Sequence, residues 1–184
     1  MIVYAVGHST RPSEELVALL RASGVDLLAD IRRFPRSRTN PQFNEDALAP
    51  ALEAHGIAYR HLAALGGRRN GASPTAPSPN TLWREKAFRA YADYAGTPEF
   101  RAGFEALLDL AGRHTVAIMC AEAVWWRCHR RIVTDYLIAR GIEVRHIMGP
   151  GKVEPAELTP GAEIAEDRTL IYRKAGEPPR LPGI

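Results

Sequence analysis

Lysine is almost missing from this chain of 184 residues: of 24 basic residues, only Lys86, Lys152 and Lys174 are lysines. Cysteine is rarer still, with Cys120 and Cys128 alone. Two thiols cannot make a disulfide framework, and they fall short of a standard four-ligand structural zinc site unless other residues join them. No apolar run approaches the roughly 20 residues that a membrane-spanning helix needs. No segment repeats, so nothing suggests a solenoid or propeller. The opening Met1-Ile-Val-Tyr-Ala-Val reads as a strand and not as a secretory leader, so a cytosolic setting is expected. A net charge of +3 is too small to announce nucleic-acid binding by itself.

What is present is arginine, and it is clustered. Arg32, Arg33, Arg36 and Arg38 crowd one stretch, Arg68 and Arg69 a second, and Arg127, Arg130 and Arg131 a third. A guanidinium is a planar fork of donors that matches phosphate or carboxylate. Around these clusters the apolar residues alternate between short runs and helical spacing. Ile2–Val6, Val25–Ile31, Ile57–Leu62, Thr115–Met119 and Glu143–Ile147 read as strands. Helices are expected from Ser13, from Asn44, over Trp83–Tyr94, from Thr97-Pro98 and over Arg130–Arg140. This alternation predicts a three-layer α/β domain with a mostly parallel central sheet of about five strands. Residues 1–148 would form that single domain. Residues 149–184, rich in proline and glycine, would wrap its surface, with Leu170–Tyr172 as a docked piece. The stretch from Leu65 to Thr81 reads as a long, glycine- and proline-rich loop.

In such a sheet the loops leaving the carboxyl ends of the strands meet along one edge. Four of them carry polar residues: Gly7-His8-Ser9, Asp30-Ile31-Arg32, Gly66-Gly67-Arg68 and Cys120-Ala121-Glu122. The catalytic candidates are Cys120, Glu122, His129 and His8. The ligand-binding candidates are Ser9, Asp30, Arg32, Arg38, Arg68, Cys128 and Arg130. A thiol between a strand and a helix amino end can have a lowered pKa. His129, at that helix end, is expected to stay neutral. Glu122 is expected to be partly buried and hydrogen-bonded to Arg32, Arg38 or Arg130, because a buried carboxylate needs a partner. Arg131 and Asp135, four apart on a helix, are expected to pair. Cys120, Glu122, Cys128, His129 and His8 could surround zinc or iron, but their spacing matches no standard motif, so no metal is assigned. Trp125 and Trp126 add aromatic surface of the kind that stacks nucleobases, one of them facing inward.

Taken in order, these segments carry a resemblance. Gly7-His8-Ser9, Asp30-Ile31-Arg32, Pro35 with Ser37-Arg38, Asn40-Pro41 with Phe43, Leu65-Gly66-Gly67, Phe88-Arg89 with Tyr91-Ala92-Asp93-Tyr94, and Cys120-Ala121-Glu122 with Cys128-His129-Arg130 are similar to the signature of the DUF488 family. The likeness runs from the first expected strand to the fifth and leaves out the tail after Met148. It implies a site shared by similar proteins, without a reaction. Many relatives have proline where this chain has Trp125-Trp126. The segment from Val116 through Cys120 to Val144 also resembles the active-site strand, loop and helix of rhodanese-like domains, and Asp30-Ile31-Arg32 resembles their Asp-x-Arg. Against that outline, Glu122 would oppose a thiolate, and the loop lacks glycine for an amide cradle.

The reading is a protein that binds, and acts on, a phosphorylated small molecule or a nucleic acid at the strand ends, with no membrane partner and no cofactor indicated. One alternative is a rhodanese-like thiol enzyme, of sulfurtransferase or phosphatase type, using Cys120. Another is a non-catalytic nucleic-acid-binding module in which only the arginines matter.

Overall fold

The computed structural model describes residues 1–69, 77–174 and 176. Residues 70–76 of the expected long loop, and residues 175 and 177–184 of the expected tail, lie outside the described residues. Eight strands and five α-helices follow in order: β1 (Ile2–Gly7), α1 (Ser13–Ala22), β2 (Leu27–Asp30), α2 (Glu45–Glu53), β3 (Ala58–His61), α3 (Lys86–Ala95), α4 (Pro98–Ala111), β4 (Val116–Cys120), α5 (Arg130–Ala139), β5 (Glu143–Gly149), β6 (Lys152–Pro155), β7 (Ala162–Ile164) and β8 (Leu170–Tyr172), counted among the described residues. No described helix is long and apolar enough to cross a membrane.

Six strands form one sheet in the order β3-β2-β4-β1-β5-β6. The first five are parallel, and β6 is an antiparallel edge. Alternation along each strand divides the core. Leu27, Ala29, Val116, Ile118 and Cys120 face the layer of α3, α4 and α5, where Phe100, Phe104 and Leu107 are buried. Leu28, Ala117 and Met119 face α1 and α2, against Leu16, Leu20, Leu48 and Leu52. Each such side chain contributes about 1.5–3 kcal/mol by leaving water. The result is the expected three-layer α/β domain with a mostly parallel sheet.

The helices start and stop for local reasons. α1 has Glu14 and Glu15 in its first turn and Arg21 in its last, the signs that suit the peptide dipoles. Thr97 caps α4 by accepting from the Phe100 amide at 3.3 Å, with Pro98 at the favoured first position. α2 begins at Glu45, so Pro50 lies inside it on the exposed side, at the cost of one helical donor. α3 begins three residues later than the pattern suggests. Trp83 instead packs into the core before the helix, and Arg89 donates to its carbonyl at 2.8 and 3.1 Å.

The segment after β5 is more than a wrap. Gly151, at φ 66°, turns the chain back to add β6 to the sheet. β7 and β8 form a separate hairpin that puts Leu170 and Tyr172 into the large core. The Tyr172 hydroxyl donates to Asp135 at 3.0 Å, and its amide donates to Asn80 at 3.0 Å. Asp135 therefore does not pair with Arg131 as expected. Both converge on Thr159, whose amide donates to Asp135 at 2.9 Å and whose hydroxyl accepts from Arg131 at 2.8 Å.

Candidate functional site

The parallel register puts Gly7 beside Cys120, and Asp30 beside Met119 and His61, at the same edge of the sheet. Backbone pairing continues past the strands: the amides of His8, Ser9 and Ile31 donate to the carbonyls of Cys120, Ala121 and Met119 at 2.9, 2.9 and 3.0 Å. The loops can meet this closely because glycine stands at the contacts. A Cβ on Gly7 would lie 1.9 Å from the Glu122 carbonyl oxygen, one on Gly66 2.5 Å from the Arg33 Cα, and one on Gly67 2.7 Å from Nδ1 of His129. These distances are below any van der Waals contact. They account physically for the glycines of the first and third polar loops.

Between the loops lies a cleft of about 630 Å³. Small-molecule sites occupy roughly 300–1,000 Å³. Cys120, Cys128 and His129 lie on its lining, with His8, Ser9 and Arg32 to one side and Arg33, Arg36, Arg68 and Arg127 around it. Phe34, Phe88 and Tyr91 add aromatic wall, and Phe34 is 63% exposed. Ser9 (φ 52°) and Arg68 (φ 55°) both adopt left-handed backbone that non-glycine residues rarely take. Such conformations tend to gather at functional sites.

One wall is a buried polar lattice. Arg32 donates to the Asp30 carboxylate through Nη2 at 2.5 Å and Nε at 2.9 Å, and its own amide adds a bond at 3.0 Å. Tyr59 donates to the same carboxylate at 2.8 Å. Arg32 also reaches the Phe43 carbonyl at 2.7 Å and Nε2 of His8 at 3.3 Å. Burial opposes the Arg32 charge, but the Asp30 carboxylate prevails and raises its pKa. His8 stacks on Phe43 with centroids 4.2 Å apart, and its Nδ1 bonds the Ser9 carbonyl at 2.8 Å. Burial, helped by Arg32, pushes the His8 pKa down. A neutral ring that donates from Nδ1 and accepts at Nε2 satisfies both neighbours. Neither nitrogen is then open to a reacting proton.

The other side carries the reactive atoms. Cys120, Cys128 and His129 bring one ligand atom each to within 4.8 Å of one another. Nδ1 of His129 lies 3.7 Å from both sulfurs, and Nε2 bonds the Ile31 carbonyl at 2.9 Å. The Arg130 amide donates to the Cys128 sulfur at 3.4 Å. The Cys128 thiol and the nearby His129 lower the Cys120 pKa against the effect of burial. Burial raises that of Cys128. Burial opposes charge on His129 too, but Cys120 beside it prevails and the pKa rises. His129 was expected to stay neutral at the helix end; Cys120 beside it acts in the opposite sense. α5 starts ten residues after Cys120, beyond a 3₁₀ turn at Trp125–Arg127, so His129 and not Cys120 occupies the helix start.

Several expected partners are placed elsewhere. Glu122 lines the cleft but is exposed, and Arg130 reaches its backbone carbonyl, at 3.4 Å, instead of its carboxylate. The expected buried, paired Glu122 is corrected, and its acid–base role goes with it. Arg130 is 1% exposed, donates to the Val6 carbonyl, and lies outside the cleft lining. Asp30 lies fully buried beneath Arg32. Arg38 is exposed and does not line the cleft. Arg68 does line it, as do Arg33, Arg36 and Arg127, which were part of the same clusters but not singled out. Trp125 turns inward to stack on His146, with centroids 4.6 Å apart and planes 2° apart, while Trp126 stays 47% exposed. Neither tryptophan lines the cleft.

These features define an open α/β domain with an arginine-rimmed cleft over a cysteine–histidine cluster. Within that class, the chain belongs to the DUF488 family: the family model, described as a domain of unknown function, matches residues 12–137. The match takes in Arg32, Cys120, Cys128 and His129, and leaves His8 and Ser9 just outside. No curated protein and no solved structure matches the chain.

Proposed function

We propose that the domain binds a phosphate-bearing ligand of roughly nucleotide size in this cleft and acts on it at the Cys120–Cys128–His129 cluster. The observation that carries this reading is the convergence of Arg33, Arg36, Arg68 and Arg127 on one cavity that also opens onto the cluster. Among the described residues, Arg68 and Arg127 have no carboxylate partner, and the Arg36–Asp46 contact is a loose 4.0 Å pair exposed on both sides. Exposed pairs of that kind are worth little and yield readily to a ligand. Arg33 donates to the Arg68 carbonyl at 3.3 Å, which ties two rim loops together. Its guanidinium also lies 5.7 Å from the Phe34 ring centroid, an arrangement suited to stacking a base. The thiol-enzyme reading of Cys120 is the weaker one, because Cys120 is only 5% exposed and shares His129 with a second sulfur.

The test is binding of inorganic phosphate, a nucleoside monophosphate and a short oligonucleotide at fixed ionic strength. Removing one charge-assisted contact costs about 1.5–3 kcal/mol, so Arg68→Ala and Arg127→Ala should each weaken binding tenfold or more. Arg113→Ala, at the turn before β4 and so at the opposite edge of the sheet, should change nothing. Equal weakening in all three variants, or no binding by the parent at low salt, would refute the reading. Ionic strength must be held constant because non-specific binding also falls steeply with salt.

A further inference from the structure

We propose that Cys120, Cys128 and His129 form a three-ligand site for a zinc-type divalent cation, with the fourth position open to the cleft. Zinc takes thiolate sulfur at about 2.3 Å and imidazole nitrogen at about 2.0–2.1 Å, and a tetrahedral angle between such ligands separates sulfur from nitrogen by about 3.6 Å. Both sulfur–Nδ1 distances here are 3.7 Å. The two sulfur–nitrogen separations thus already match the edges of a tetrahedron around a common centre, and the two sulfurs lie within 4.8 Å of each other.

The surroundings match the needs of such ligands. The Ile31 carbonyl takes the Nε2–H of His129, which leaves Nδ1 as the lone-pair atom facing the sulfurs; a backbone carbonyl holding the far nitrogen is the usual support of a metal-bound histidine. The Arg130 amide donates to the Cys128 sulfur, as an amide does to a ligating thiolate. Gly67 has no side chain where a Cβ would strike the imidazole. Two adjacent thiolates in a buried place call for a divalent cation, and sulfur with imidazole selects zinc over magnesium or calcium.

Among the described residues no fourth histidine, cysteine or carboxylate joins the group. Tyr91 stands nearby, with ring centroids 5.0 Å apart, but its hydroxyl is committed to the Leu65 carbonyl at 2.6 Å. Structural zinc sites are closed by four protein ligands, whereas catalytic ones keep a position for water or substrate. Because all three residues also line the cleft, a ligand would meet the metal from that side. That last step rests on the anion-binding reading; the metal site itself does not.

The experiment uses the full chain, purified under reducing conditions without chelator. Elemental analysis should find an equimolar amount of zinc. Replacement by cobalt(II) should give thiolate-to-metal charge-transfer absorption and the intense visible bands of tetrahedral cobalt. Cys128→Ser should weaken the charge-transfer band, and Cys128→Ser and His129→Gln should each bind cobalt at least tenfold more weakly, while circular dichroism stays native. Should either variant fail to fold, chelator treatment of the parent followed by cobalt titration supplies the same readout. The proposal is overturned if the reduced, folded parent takes up no stoichiometric zinc or cobalt. It is also overturned if folded Cys128→Ser and His129→Gln both bind cobalt with the affinity and spectrum of the parent. Phosphate binding measured with Arg68→Ala is independent of these outcomes, so failure of the metal site and failure of the anion site are distinguishable.

Discussion

His146 gives the sharpest quantitative expectation. It lies on β5, 2% exposed, stacked flat on Trp125, with no partner for Nδ1 among the described residues. Burial, together with the nearby Arg130 charge, lowers its pKa from 6.5 to about 4. The sign follows directly. The folded state binds the proton more weakly than the unfolded chain does. The neutral ring therefore contributes fully above pH 6.5, and that contribution is lost as pH falls from there toward 4. Each pKa unit corresponds to about 1.4 kcal/mol, so His146 alone should remove about 3 kcal/mol of stability between pH 7 and pH 4. His146→Phe keeps an aromatic ring against Trp125 and removes the titration. Urea unfolding of both proteins at half-unit pH steps gives the stability difference as a function of pH. That difference should shift by about 3 kcal/mol in favour of the variant between pH 7 and pH 4, with most of the change below pH 6. Parallel curves, with a constant difference across the range, would show that His146 is not held neutral and that the buried environment drawn here is wrong.

Two further outcomes test the walls of the cleft. Gly67→Ala places a Cβ against the His129 ring and should cost about 1–3 kcal/mol in urea unfolding. Gly149→Ala, where nothing stands within 4 Å of the added atom, should have the stability of the parent. Asp30→Asn leaves the Arg32 cation buried without its carboxylate and should lower stability by about 3–5 kcal/mol by thermal or urea melts. Unchanged stability in Asp30→Asn would remove the lattice of Arg32, Tyr59 and His8 as a support of the site.

The sequence made the parallel sheet and its polar edge legible because the central strands are short apolar runs buried on both faces and three of the four polar loops follow directly on a strand. Cys120 could be placed from Val116–Met119 alone. The roles of the arginines were harder to see. In Asp30-Ile31-Arg32 the two charged residues are two apart, so an extended backbone points both the same way and they satisfy each other. The spacing that makes Arg32 conspicuous also commits its guanidinium to Asp30. Arg33 and Arg36 reach the cleft because the chain leaves β2 in an irregular loop, a direction no periodicity encodes. The members of the Cys120–Cys128–His129 group were visible among the candidate ligands, but their close approach was not. Its short separation follows from the 3₁₀ turn at Trp125–Arg127, which folds the loop back over the strand end. β6 was read as part of a tail because Gly149-Pro150-Gly151 signals a break, and a tight reversal uses the same residues as a loose end.

The order in which the chain is synthesised gives the β7–β8 hairpin a further meaning. Every residue of the cysteine–histidine cluster has been synthesised by position 129, yet Leu170 and Tyr172, which close the core over α3 and α5, follow some forty residues later. Through that interval Asp135 lacks Tyr172, and at first Thr159 too, and the apolar face of α5 is only partly covered. Domains complete as units and leave apolar surface open until they do. The nascent protein thus holds two reduced thiols beside an unfinished core, and only β8 brings that exposure to an end.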